Sequence, residues 1–311
     1  LHAMRIIPSD MPAGKTVGYL IDVQHYSVND GDGIRTTIFF AGCNMRCQWC
    51  ANPESFTTFD KILHTESSCV RCGRCTQVCP SGVGMNLSDP AERRKCISCG
   101  RCVAVCPSGS RKSAIRTVTM QEIVDEVEKH RLFYRFSGGG ITFSGGEASR
   151  QFPFLDALSG ALYDAGHDLC LESNGHFSYE QMQPVLKRLA LCFIDIKHMD
   201  PLVHRRFTGM GNEKTLDTIR RIGKTDLPLV VRVPVIQTVN AEDAQIRAIA
   251  RFVKEAVRTP RIELLPYHSY GEVKYASLGM RQPDPRFCAP EEMHRLEEIV
   301  EAEGVRVEHF A

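Results

Sequence analysis

Eleven of the fourteen cysteines fall between positions 43 and 106 in fixed short spacings, and a chain that gathers thiols this densely has to fold around whatever they hold. Disulfides are the answer in small secreted domains, but the N-terminal LHAMRIIPSDMPAGK lacks the long apolar core of a signal peptide, so metal is the economical reading. The first set lies in RTTIFFAGCNMRCQWCANP, Arg35 to Pro53, where an apolar run ending in Gly42 delivers Cys43, Cys47 and Cys50 into one loop. A closed structural zinc site wants four ligands, and a 4Fe-4S cube wants one ligand per iron. Three thiolates leave one iron bare, free to act as a Lewis acid toward a small molecule with an amine and a carboxylate. The plain alternative is a zinc knuckle or three buried thiols.

The other eight form two runs, Cys69, Cys72, Cys75, Cys79 before Pro80 and Cys96, Cys99, Cys102, Cys106 before Pro107. Both read C-x2-C-x2-C-x3-C-P, the bacterial two-cluster ferredoxin spacing, in which the fourth cysteine of each run serves the other cluster. By that rule Cys69, Cys72, Cys75 and Cys106 hold one cube, and Cys96, Cys99, Cys102 and Cys79 hold the second. Zinc fingers separate their cysteine pairs by a longer loop and fit poorly. Residues 61–114 therefore read as an inserted ferredoxin-like module with an internal repeat. Cys170 and Cys192 sit in apolar runs and read as small core residues; Cys288 stands apart.

Around the insert, residues 17–60 and 115–311 alternate strand and helix. GYLIDVQ from Gly18 reads as a first strand, HYSVNDGDGIRT as a turn-rich loop, and RTTIFFA as a second strand. Thr119 and Glu122 form a capping box for a helix with Ile123, Val124 and Val127 on one face. Strands follow at Ile141, Asp168, Cys192, Leu229, Arg261 and Val305, with amphipathic stretches between them such as Phe152, Leu155, Leu158, Leu162 and Ile246, Ile249, Val253. Repeated βα units imply a parallel sheet with helices outside. About six units counted from RTTIFFA predict an α/β fold of an open, partial (β/α)6 barrel rather than a full eight-unit one. Lys plus Arg is 38 against 37 Asp plus Glu, so no charge field marks the chain for nucleic acid or a membrane surface. No apolar run approaches a spanning length. The expected location is the cytoplasm, in an anaerobic or micro-oxic setting, since oxygen destroys exposed clusters.

In such barrels the chemistry sits at the C-terminal strand ends. There the sequence places Gly145-Gly146-Glu147, where glycines admit a ligand to the backbone and a carboxylate can accept from an ammonium group. It also places Glu172-Ser173-Asn174-Gly175, Asp195 and Lys197, Arg232, and Tyr267 with His268.

The triad with Trp49 before its last cysteine resembles the signature of the radical S-adenosylmethionine (SAM) enzymes. RTTIFFAGCNMRCQWCANPES, TFSGGEA, LESNG, FIDIKHMDP, VRVPVI and LLPYHSYGEVKYASLG together resemble the glycyl radical enzyme activating enzymes, the group that includes pyruvate formate-lyase activase, in the members with a two-cluster insert. The resemblance implies three 4Fe-4S clusters and SAM. Cys43, Cys47 and Cys50 would hold the SAM-cleaving cluster, with Trp49 and Ala51 beside the cofactor. Gly145, Gly146 and Glu147 would line its methionine end, and Asp195, Ile196, Lys197, Arg232 and His268 would complete the pocket. Glu172, Ser173 and Asp195 would occupy the region of a monovalent-cation site. Three positions depart from the family pattern: Asp32 replaces proline in the DGPG turn, Ala148 replaces the proline after GGE, and Glu172-Ser173 replaces an Asp-Thr pair.

The implied activity is an oxidoreductase reaction. An electron from a flavodoxin- or ferredoxin-type donor cleaves SAM, and the resulting 5'-deoxyadenosyl radical takes a hydrogen from a glycine of a partner glycyl radical enzyme. The insert either relays electrons or serves as a docking surface. Two other classes stay open: a radical SAM enzyme acting on another protein or a small molecule, and a non-catalytic iron-sulfur electron-transfer protein.

Overall fold

The structure is a computed structural model that describes residues 16–282 and 284–310. The N-terminal LHAMRIIPSDMPAGK, expected not to be a signal peptide, lies outside the described residues.

Strands β1 (Val17–Ser27), β2 (Arg35–Phe40), β3 (Ile62–His64), β4 (Arg111–Ser113), β5 (Arg116–Thr119) and β6 (Ile141–Gly145) are followed by β7 (Leu169–Ser173), β8 (Leu191–Asp195), β9 (Leu229–Val235), β10 (Arg261–Pro266) and β11 (Arg306–Val307). Nine of them form one sheet in the order β11-β10-β9-β8-β7-β6-β2-β1-β5. From β2 to β11 all neighbours are parallel, whereas β1 pairs antiparallel with β2 and β5. The burial pattern has the same cause as the pairing. RTTIFF in β2 and LVVRVPV in β9 are buried almost throughout, as strands covered on both faces must be, while β1 alternates along its length because one face meets water.

Two sequence expectations shift at the edges. β1 continues through Ser27, with a register irregularity between Gln24 and Ser27 and Tyr26 at φ 62°, so the loop expected from His25 starts later. Of VRVEHF only Arg306 and Val307 join the ladder, at the sheet's edge.

The helices are α1 (Arg74–Gln77), α2 (Pro90–Lys95), α3 (Arg101–Ala104), α4 (Met120–Glu128), α5 (Arg131–Ser137) and α6 (Phe152–Asp164), then α7 (Tyr179–Leu186), α8 (Pro201–Thr208), α9 (Glu213–Ile222), α10 (Asp243–Ala256), α11 (Tyr270–Ser277) and α12 (Pro290–Ala302). Leu155, Leu158 and Leu162 of α6 and Ile246, Ile249 and Val253 of α10 are buried in the main core with the sheet's apolar side chains. Full burial stabilises by about 1.5–3 kcal/mol for each such residue. α4 starts at the expected box: Glu122 N–H donates to Thr119 Oγ1 at 3.3 Å and Thr119 N–H to Glu122 Oε2 at 2.6 Å. Cys170 and Cys192 are buried as small core residues. Among the described residues no helix is long and apolar enough to cross a membrane.

The cysteine-rich segment leaves and rejoins the sheet at neighbouring points. Asp60 Oδ1 accepts from the N–H groups of Ala114 at 3.0 Å and Ile115 at 3.1 Å, and β3 pairs antiparallel with β4 just beyond. Inside it the two cysteine runs repeat their backbone. Arg71 and Ser98 take φ of 54° and 52°, and Gly73 and Gly100 take 72° and 73° before the short helices α1 and α3. Equivalent left-handed residues at equivalent places mean one loop design used twice.

Candidate active site

The parallel register brings the C-terminal ends of β2, β6, β7 and β8 side by side, with Phe40 level with Gly145, Ser173 with Ile194, and Asp195 with Arg232. The loop carrying Cys43, Cys47 and Cys50 leaves β2 directly above these ends. Arg46 ties it down, donating to the carbonyls of Cys43, Met45 and Phe56, each at 2.7 Å. The backbone N–H groups of Arg46 and Gln48 reach the end of α8, at Thr208 O (2.7 Å) and Phe207 O (3.1 Å).

The Gly145-Gly146-Glu147 turn packs straight against this loop. Gly146 N–H donates to Phe40 O at 2.8 Å and Glu147 N–H to Gly42 O at 2.9 Å. A Cβ on Gly146 would stand 2.6 Å from Gly42 O, so the approach requires glycine. The Glu147 carboxylate is 1% exposed and fully engaged: Ser173 Oγ donates at 2.9 and 3.0 Å, Asn174 N–H at 2.9 Å and Ser149 N–H at 3.2 Å. Burial pushes its acidity down, and these donors oppose that shift.

Through Glu147 the β7 loop is held against the cysteines. Asn174 Nδ2 donates to Asn44 Oδ1 at 2.8 Å and lies 3.8 Å from Cys43 Sγ, and Asn44 Nδ2 donates to His176 O at 2.8 Å. The sequence marks Asn174 only as a strand-end residue and Asn44 not at all, because the contact joins segments far apart in the chain.

On the next strand Lys197 Nζ sits 2.6 Å from Asp195 Oδ2. Burial pulls the Lys197 ammonium toward neutrality, but the Asp195 carboxylate outweighs it and raises its pKa. Ile196 is buried between them and donates its N–H to Arg232 O at 2.9 Å.

Arg232 lies deeper. Its Nε donates to Glu263 at 2.6 Å, Nη1 to Glu172 and Nη2 to Asn29 O at 2.8 Å, while the guanidinium stands 3.7 Å over the Phe193 ring. Glu172 also accepts from Ser144 Oγ at 2.6 Å. Burial and the nearby Asp30 charge push the Glu172 carboxyl up to about 7 despite Arg232. At the place expected for a cation, Glu172 holds Arg232 and Ser144, Ser173 Oγ donates to Glu147, and Asp195 Oδ2 pairs with Lys197.

Trp49 closes the far side, packed with Ile236, Tyr267, Phe207 and Cys47. Tyr267 lies parallel to His268, whose ring contacts Tyr270 at 4.4 Å between centroids. Ala51 lies under α11, where a Gly271 Cβ would be 3.2 Å from its Cα.

The cysteines present the chemistry that thiolate-bound iron needs. Met45 N–H points at Cys43 Sγ and Asn52 N–H at Cys50 Sγ, both at 3.4 Å, and hydrogen bonds to sulfur are a lever on cluster potential. Burial drives the Cys43 thiol up to about 12 and raises Cys47 and Cys50 as well, so these sulfurs become thiolates only beside a bound cation.

In the insert, Cys69, Cys72, Cys75 and Cys106 line one cavity, the same four that the crossed ferredoxin rule groups. Cys79, Cys96 and Cys102 cluster around Ile62, Val83 and Leu87, and Cys75 packs against the same group. Val83 N–H donates to Cys79 Sγ at 3.3 Å and Ser98 N–H to Cys96 Sγ at 3.4 Å. Against a burial effect that raises them, hydroxyl and N–H donors lower the pKa of Cys79 and of Cys106, each the last of its run. Among the described residues no three His, Cys, Asp or Glu side chains converge as the ligands of one bare ion do. A cube spreads its thiolates over separate corners, one per iron, and asks for no such convergence.

Residues 37–252 match the family model of the radical SAM superfamily. The chain is 32% identical to an indoleacetate decarboxylase activating enzyme of Tractidigestivibacter scatoligenes, over 94% of this chain and 97% of that protein. It is 36% identical to an isethionate sulfite-lyase activating enzyme of Oleidesulfovibrio alaskensis, over 93% and 96%. A domain of a pyruvate-formate lyase-activating enzyme from Bacteroides vulgatus aligns with a TM-score of 0.47 and 28% identity, covering 55% of this chain and 98% of that one.

Proposed function

The chain belongs to the radical SAM superfamily, among its glycyl radical enzyme activating enzymes, and from that premise we propose which of its residues carry the reaction. It is an oxidoreductase that cleaves SAM and installs a glycyl radical on a partner enzyme. The observation that carries the reading is the seating of the Gly146-Glu147 turn on Gly42 and of Asn174 beside Cys43, which joins three strand ends into one site around the cysteine loop.

Cys43, Cys47 and Cys50 would hold the 4Fe-4S cluster, and their donor set fits it. Bound and reduced, that cluster supplies the electron that splits SAM into methionine and the 5'-deoxyadenosyl radical that takes hydrogen from the partner's glycine. The residues of the chain bind and shield. Gly145, Gly146 and Glu147 line the methionine end, where open backbone lets an ammonium and carboxylate approach closely. Asp195, Ile196 and Lys197 form the adjoining wall, and Lys197 contributes a fixed positive charge. Arg232, held by Glu172 and Glu263, forms the floor, and the buried Trp49 and Tyr267 exclude water from the adenosyl side, with the exposed His268 at its rim. Dryness matters because an unselective radical must meet only the intended C–H.

Strands β2 and β6 to β10 form the open (β/α)6 partial barrel with β11 at its edge, and residues 61–114 form a ferredoxin-like module with two further 4Fe-4S clusters. Cys69, Cys72, Cys75 and Cys106 hold one, and Cys79, Cys96, Cys99 and Cys102 the other. The shared cavity of the first four supports that grouping. The module's clusters would supply either a path for electrons from a flavodoxin- or ferredoxin-type donor or a rigid docking surface for the partner. A monovalent cation near Glu172, Ser173 and Asp195 would compete with Arg232 and Lys197 for two of those side chains. The glycyl radical enzyme is the macromolecular partner, met in the cytoplasm.

Anaerobic reconstitution tests the reading. SAM perturbs the spectrum of one cluster, dithionite then yields 5'-deoxyadenosine, and mixing with a cognate glycyl radical enzyme gives the glycine-centred EPR doublet. If SAM leaves every cluster unchanged, the assignment of Cys43, Cys47 and Cys50 fails.

A further inference from the structure

Helix α11 touches the cysteine loop and the insert at once. On the loop side, a Cβ on Gly271 would come within 2.6 Å of Cys50 O, and Lys274 Nζ lies 2.6 Å from both Asn52 Oδ1 and Glu54 Oε1. Tyr275 of the same helix is 4% exposed. On the insert side, Ser277 O at the helix C-terminus accepts from Arg93 Nη2 at 2.7 Å. The other arm of the same guanidinium, Nη1, donates to Ile62 O of β3 at 2.5 Å. Just past the helix a Cβ on Gly279 would lie 2.7 Å from Ser88 O, a second close seam between the insert and this segment.

Arg93 stands in α2, half-buried between β3 and the end of α11. Only a planar fork can join two carbonyls on separate elements this way; a lysine ammonium has no second arm held at a fixed angle. A cation at a helix C-terminus also complements its dipole.

We propose that Arg93 is the positioning residue that fixes the cysteine-rich insert in register against the catalytic cysteine loop, acting through α11. The proposal rests on the SAM-cleaving reading for its activity measurement and on geometry alone for the rest. Displacing α11 moves the covering of Cys50 and the anchors of Asn52 and Glu54, so a change in the insert is felt at the site without direct contact.

The test compares reconstituted wild type with Arg93→Gln and Arg93→Lys, by iron content, amide hydrogen exchange and SAM kinetics. Expected are unchanged iron, exchange over residues 270–277 faster by about tenfold with a smaller rise over 50–54, and a KM for SAM raised roughly three- to tenfold with kcat less affected. Arg93→Lys falls between. Unchanged exchange over 270–277 with iron intact, or faster exchange confined to the insert, overturns the proposal. If Arg93→Gln loses iron, Gly279→Ala loads the same joint from the other side and decides by the same readouts. Wild type that holds iron but never cleaves SAM sinks the functional reading and leaves the exchange comparison standing.

Discussion

Arg232 donates its Nε to Glu263 at 2.6 Å with both side chains nearly dry, 7% and 6% exposed. The same guanidinium serves Glu172, so one cation is shared by two carboxyl groups inside the sheet. Removing it leaves buried charge without a partner, which costs about 3–5 kcal/mol. Arg232→Gln is expected to lower stability to urea by that order at neutral pH. Arg232→Lys recovers little, because an ammonium cannot fork between Glu172, Glu263 and the Asn29 carbonyl. A loss below about 1 kcal/mol would show that the sheet does not depend on this cluster.

Glu172 gives the fold a pH dependence of definite sign. Burial and the Asp30 charge raise its carboxyl from an ordinary value of 4.5 to about 7. The native state therefore holds a proton that the unfolded chain has released, and this group's contribution is full below about pH 4.5 and fades as pH rises through about 7. Its ceiling is about 3 kcal/mol. Glu172→Gln is expected to flatten that part of the stability curve of the apoprotein between about pH 5 and 7.5. Denaturation midpoints at several pH values decide; parallel curves for the two proteins would refute the assignment.

Gly146 tests the seam between the GGE turn and the cysteine loop. An alanine methyl would meet Gly42 O at 2.6 Å and Ser55 Oγ at 2.8 Å, and backbone carbonyls do not yield cheaply. Overpacking of this kind costs about 1–3 kcal/mol. Gly146→Ala is expected to weaken SAM binding at least tenfold while the insert keeps its iron, measured by SAM-induced spectral change and iron content. Wild-type affinity in this variant would mean that the seam does not shape the pocket.

Strand positions are legible in the sequence because they are carried by local spacing. Period and β-branched runs mark β2 and β9, and the crossed ferredoxin rule pairs Cys106 with Cys69, Cys72 and Cys75, which share a cavity. What spacing does not carry is contact between distant segments. The antiparallel addition of β1 and β5 outside β2 depends on pairing, not on periodicity. The full hydrogen-bonding of Glu147 depends on Ser173 and Asn174 arriving from another strand, and a GGE triplet says nothing of them. Asn44 and Arg93 are ordinary polar residues until folding puts His176 and Ser277 beside them.

The separation of the two kinds of cysteine can be tested by single deletions. Cys43 lies in the loop on β2, with Met45 N–H and Asn174 Nδ2 directed at its sulfur, whereas Cys72 lines the insert's cavity with Cys69, Cys75 and Cys106. The insert has its own strand pair, β3 with β4, and its own apolar cluster around Ile62, Val83 and Leu87. Damage at Cys72 should therefore stay local. Cys43→Ala is expected to abolish 5'-deoxyadenosine formation while most of the iron remains. Cys72→Ala is expected to lose one insert cluster yet still show the SAM-induced spectral change, because Cys43, Cys47 and Cys50 keep their loop. Iron analysis and EPR with and without SAM read both variants. Loss of all iron from Cys72→Ala would mean that the insert and the catalytic loop assemble as one unit.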